Sequence, residues 1–138
     1  MPLQITAREQ EGIQIVDLHG RLTLGPEDLV FRTELDALVR AGKNRVVLNL
    51  TQVNDLDSTG LGTLLFALAE LQKAGGNLAL VNMSHPHLEL LVEARLDATF
   101  RIFADDQDAI NSFFPDRELK HYDILEFVRS RQQKPAKP

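Results

Sequence analysis

Asp57-Ser58-Thr59-Gly60-Leu61-Gly62 places a carboxylate, two hydroxyls and two glycines within six residues. The run Val46–Leu50 ahead of it is almost wholly apolar, as in a strand covered on both faces. Behind it, Leu61, Leu64, Leu65, Leu68 and Leu71 recur at helical spacing. The hexapeptide therefore reads as a strand-to-helix turn, where the first backbone N–H groups lack partners and negative charge is favoured. Two chemistries fit that position. Asp57 and Ser58 are both competent to cap an N–H, with Gly60 packing tightly into the turn and Gly62 letting another segment approach the helix. The second chemistry is reversible phosphorylation of Ser58. A phosphoserine carries about −1.5 to −2 charges near pH 7, which helix-start amides accommodate without unfolding. Asp57 is close enough in sequence to repel that charge or to help a kinase orient the free hydroxyl. Thr59 is the alternative acceptor, ranked second for its methyl group and its place inside the turn.

Catalysis is the weaker reading. A hydrolase needs the hydroxyl activated by a positioned base, and His19, His85, His87 and His121 qualify only by residue type. The serine also lacks the glycine–x–serine–x–glycine elbow of α/β-hydrolases. His85-x-His87 falls short of a metal ligand set, and Asp105, Asp106 and Asp108 read as the acidic start of a helix. There is no glycine-rich phosphate loop or dinucleotide fingerprint. The chain is expected to be a binding module, not an enzyme, with no cofactor and no metal.

The elements that position the motif follow from its flanks. Leu3–Arg8 and Gly12–Gly20 alternate apolar and polar residues and read as an antiparallel hairpin, irregular near Ile15-Val16. Gly25-Pro26 opens a helix carrying Phe31, Leu35, Leu38 and Val39, with Glu27 and Asp28 complementing its dipole. Gly75-Gly76 closes the leucine-rich helix, and Leu78–Val81 is a second interior strand. A helix beginning near Pro86, a strand at Thr99–Phe103 and an acidic-start helix at Asp105 complete the unit. Strands alternating with helices after a hairpin predict an α/β fold, with a mixed four- to five-stranded sheet and flanking helices. Pro115 marks the expected boundary, giving a domain over 1–114 and an extension over 115–138. In the extension, Ile124, Phe127 and Val128 share one face of a possible short helix that packs in cis, forms a weak homodimer contact or binds a partner.

Composition supports this. The 138 residues are 43% hydrophobic, enough for one core. The absence of cysteine excludes disulfides and fits a cytoplasmic location. The net charge of −5, from 20 acidic and 15 basic residues, argues against direct nucleic-acid binding despite Arg129, Arg131, Lys134 and Lys137 in the tail. No run reaches the roughly 18 apolar residues of a membrane span.

From about Ile5 to Phe113, the apolar strand, Asp57-Ser58-Thr59-Gly60-Leu61-Gly62, the leucine-rich helix and the Gly75-Gly76 turn closely resemble the STAS domain of bacterial anti-sigma factor antagonists. The resemblance implies a phosphorylatable Ser58. In that family the unphosphorylated form binds an anti-sigma factor, usually an ATP-dependent serine kinase, and so releases a sigma factor. Phosphorylation ends the interaction, and a PP2C-type phosphatase restores it. Asp57, Ser58, Thr59, Gly60 and Gly62 would form the partner-binding surface with Arg21 and Thr23. The last two stand where antagonists commonly carry acidic residues, in Gly20-Arg21-Leu22-Thr23, which changes the charge offered to a partner. The alternative is a STAS-type protein-binding or scaffold domain of another signalling or transport complex, with Ser58 serving only as a cap.

Overall fold

The computed structural model describes residues 3–117 together with Leu125 and Val128. Strands β1 (Gln4–Gln10) and β2 (Ile13–Leu22) form the N-terminal hairpin. They pair antiparallel from Gln4 against His19 to Gln10 against Ile13. Glu11 and Gly12 turn the chain with φ of 54° and 81°, the positive values that match a hairpin's twist. The irregularity at Ile15-Val16 is burial on both faces, since Ile13 and Ile15 enter one apolar cluster and Val16 and Leu18 the other. Gly20 does not end β2. Register shifts after Asp17 and after Gly20 carry the strand on to Leu22.

Helix α1 (Pro26–Arg40) leads into β3 (Arg45–Leu56), which is followed by α2 (Ser58–Lys73), β4 (Asn77–Val81), α3 (His85–Glu93), β5 (Arg101–Phe103) and α4 (Asp106–Asn111). The sheet order is β1-β2-β3-β4-β5, with every pair after the hairpin parallel. Strand β3 runs well beyond the apolar stretch Val46–Leu50. Up to Asn49 it has β4 on one side; beyond, its partner is β2, through Leu22 against Leu56. One buried face there leaves only Val53 and Leu56 as apolar markers, so the sequence of that half reads as polar. The last strand, by contrast, is shorter than the expected Thr99–Phe103.

Helices α1, α2 and α3 cover one face through Phe31, Leu35, Leu64, Leu71, Leu88 and Leu91, all buried. Helix α4 covers part of the other with Ala109 and Ile110 on Ile13, Ile15, Val47 and Val81. Beyond α4 that second face turns polar. Arg8 Nε donates to Asp17 Oδ2 at 3.0 Å, Asn49 Nδ2 donates to Asp17 Oδ1 at 2.7 Å, and Asn82 Nδ2 donates to Asn49 Oδ1 at 3.0 Å. Val128 is buried in the core cluster of the first face, so at this residue the C-terminal apolar stripe packs in cis. Ile124, Phe127, His121 and the basic residues Arg129, Arg131, Lys134 and Lys137 lie outside the described residues.

Candidate functional site

The carboxyl end of β3 delivers Asp57 in extended conformation, with φ −122° and ψ −173°, as the N-cap of α2. Its Oδ1 accepts from the Gly60 N–H at 2.9 Å, filling one orphan donor of the helix start. Its Oδ2 accepts from the Leu24 N–H at 3.2 Å, in the loop between β2 and α1. One carboxylate thus ties two segments together. Of the two residues competent to cap, Asp57 performs the role, while Ser58 is the first helical residue and is exposed.

Gly60 is buried where β2 ends. A Cβ there would lie 2.1 Å from the Leu22 carbonyl oxygen and 2.7 Å from Leu56 Cδ1, so only glycine lets the strand and the helix meet. Gly62 differs from the sequence reading. It is exposed and a Cβ on it would meet nothing within 4 Å, so no described segment makes the close approach anticipated there. Thr59 is half-buried, and its carbonyl oxygen lies 3.1 Å from Thr63 Oγ1.

The next turn of α2 is joined to α1. The buried Thr63 hydroxyl donates to Asp28 Oδ1, and Arg32 Nε donates to the same oxygen at 3.0 Å. The Thr63 hydrogen bond, aided by Arg32 and opposed by partial burial, holds the Asp28 carboxyl below the usual carboxylate range. The Arg32 guanidinium in turn sits 4.1 Å from the centroid of the Phe66 ring on α2. Glu27, expected only to complement the dipole, is buried and pairs with Arg21 at 3.7 Å. Thr23 is half-buried in the β2–α1 loop. Asp57, Ser58, Gly60, Arg21 and Thr23 are therefore carried by adjoining segments, because Asp57 and Gly60 pin the β2–α1 loop to α2. Leu24 and Thr63 escaped the sequence reading, and Asp28 was read only as a dipole-complementing acid, not as the partner of Thr63. The available signals were a leucine isolated in a turn and a threonine amid an apolar helix face.

The other candidates have different surroundings. His19 is exposed on β2, and His85 Nδ1 lies 3.8 Å from Glu89. His87 is half-buried; burial pushes its imidazole down, against the pull of Asp55. Asp105 caps α4 by accepting from the Asp108 N–H at 2.8 Å, and Asp106 pairs with Arg8 at 3.1 Å. Among the described residues, no group of three or more His, Cys, Asp or Glu is placed to hold a metal ion. Nor, among them, is any helix long and apolar enough to cross a membrane.

Fold and site together define a mixed-sheet α/β domain that presents an exposed hydroxyl at a capped helix start. The STAS domain profile matches residues 4–109, and the chain belongs to the STAS domain family. An anti-sigma F factor antagonist from Paenibacillus polymyxa is 29% identical over 110 residues, spanning 80% of this chain and 94% of that one. Among solved structures, an anti-sigma factor antagonist from Mycobacterium paratuberculosis superposes with a TM-score of 0.71 at 21% identity, covering 80% of this chain and 93% of that one. The Bacillus cell fate determinant SpoIIAA in its phosphorylated form gives a TM-score of 0.60 at 20% identity, covering 80% and 97%. At such identities the structural likeness shows the fold.

Proposed function

We propose that the protein is an anti-sigma factor antagonist controlled by phosphorylation of Ser58. With a free hydroxyl, the face formed by the start of α2 and the β2–α1 loop, including Arg21 and Thr23, binds an anti-sigma factor that is also a serine kinase. Its sigma factor is thereby released. Phosphate on Ser58 ends the association, and a PP2C-type phosphatase renews it. The kinase supplies the ATP; this chain supplies the acceptor.

One observation carries the reading: Ser58 is exposed at a helix start whose cap is made by its neighbour Asp57. The hydroxyl is not needed by the fold and is open to modification. A phosphate would add a dianion next to the Asp57 carboxylate, and a surface fitted to the neutral hydroxyl would meet unpaired charge. About 1.4 kcal/mol of lost complementarity changes affinity tenfold. The curated relative named an anti-sigma F factor antagonist supports the role, and SpoIIAA has been solved in phosphorylated and unphosphorylated forms.

The test uses the purified anti-sigma factors of the source genome. Ser58→Ala is expected to keep its melting temperature, lose phosphate incorporation by intact mass and retain binding. Ser58→Asp is expected to bind at least tenfold more weakly. Equal affinity of Ser58→Asp and wild type would overturn the reading.

A further inference from the structure

Among the described residues, the exposed large apolar side chains are Leu24, Leu29 and Val30, with relative exposures of 78%, 69% and 43%. They fall within seven consecutive residues. That segment is locked to the first two turns of α2 at two points, Leu24 N–H on Asp57 and Asp28 on Thr63. Exposed apolar side chains scattered singly need no explanation, but a cluster fixed beside a candidate recognition residue does.

The charges of the same segment are already engaged. Arg21 pairs with Glu27, which is itself buried, and Asp28 accepts from Thr63 and Arg32. Over residues 21–30 every ionised side chain thus has a partner inside the domain. A protein approaching this segment meets exposed apolar surface alongside charges that already have partners, the half-exposed Arg21 among them. On α2 beside it, Gly62 adds exposed backbone with no side chain in the way. From these observations we infer that Leu24 and Leu29 form an apolar anchor that seats in an apolar pocket of the anti-sigma factor, while Asp57 holds the anchor in register with Ser58. Val30, two residues after Asp28, lies on the flank of α1 turned away from α2. The inference rests on the function proposed above and specifies its chemistry: affinity comes from the apolar anchor, and Ser58 controls it by charge. Binding driven this way has a negative heat-capacity change and little salt dependence.

Calorimetric titration against each purified ATPase-type anti-sigma factor of the source genome tests this, with wild type, Leu24→Ser/Leu29→Ser, Leu24→Met/Leu29→Met and Ser58→Asp. Both leucines are exposed, so all variants should melt with the wild type. The serine pair is expected to lose at least tenfold in affinity and to show a smaller heat-capacity change, whereas the methionine pair stays within threefold. A serine pair within twofold of wild type, alongside a weakened Ser58→Asp, would overturn the anchor and leave the functional reading standing. Failure of every anti-sigma factor to bind wild type would sink the functional reading and the anchor with it. Sedimentation of the isolated protein supplies the last arm. Self-association removed by the serine pair would assign the patch to a second copy and overturn the inference.

Discussion

Gly60 and Gly62 lie on the same helical turn and obey opposite constraints. At Gly60 the obstacle is a backbone carbonyl, Leu22 O, 2.1 Å from where a Cβ would stand, and a backbone atom cannot rotate away. At Gly62 the space is open and glycine merely costs helix propensity. Gly60→Ala is therefore expected to destabilise the isolated domain by about 1–3 kcal/mol through overpacking. Gly62→Ala should instead stabilise it by about 0.5–1 kcal/mol, because the unfolded chain loses freedom and the helix gains a better former. Urea midpoints of the two variants decide the matter; a shared sign would mean that the contact at Leu22 is misjudged. The capped helix start was legible from the motif's residues, since Asp57 and Ser58 after a buried strand are both suited to accept from an orphan N–H. The asymmetry between its glycines was not. It depends on where the end of β2 passes, and nothing in residues 57–62 encodes that.

Between elements, the same limit governs what the sequence could say. Apolar periodicity located α1, α2 and α3 because each buries a continuous stripe. Asp28 and Thr63 looked like a dipole-complementing acid and a lone polar interruption, yet together they join α1 to α2 across 35 positions of sequence. The bond has a thermodynamic signature. The Thr63 hydroxyl is the largest influence lowering the Asp28 carboxyl, so the folded state holds that proton less tightly than the unfolded chain does. Such a group adds stability above the ordinary carboxylate range, and that stability is lost as acid protonates the folded form. Thr63→Val keeps the shape and removes the donor. It is expected to cost about 1 kcal/mol at pH 7, the usual worth of one hydrogen bond, with the deficit shrinking at pH 3. Denaturant titrations at the two pH values measure it. An equal deficit at both would show that the valine acts through packing and not through the carboxylate.

Across the whole molecule, the outlines of the sheet were readable where strands are covered on both faces and unreadable where they are not. The second half of β3 has one strand neighbour and a single buried face, so Val53 and Leu56 were too sparse a signal to extend the strand. The polar face beyond α4 was equally hidden, because Arg8, Asp17, Asn49 and Asn82 meet only once five strands are in register. Asp17 on this face contributes to the response to acid, as do His87 and Asp28. Burial lowers His87, with Asp55 opposing, so below its ordinary value of 6.5 the unfolded chain takes up the proton first. Burial tends to raise Asp17, but the hydrogen bonds from Arg8 and Asn49 outweigh it and leave the carboxyl lowered. Asp17, like Asp28, therefore favours the unfolded state as pH falls below the ordinary carboxylate value of 3.8. All three groups act in the same direction, in two separate windows. Stability should decline in one step as pH falls from about 7 through the histidine range and in a second step through the carboxylate range. His87→Gln is expected to flatten the first step and leave the second unchanged, whereas Asp17→Asn should lower stability at neutral pH and shrink the second. Guanidinium midpoints at intervals from pH 8 to pH 3 would resolve the steps. A first step that survives in His87→Gln would assign it to a group other than the half-buried imidazole.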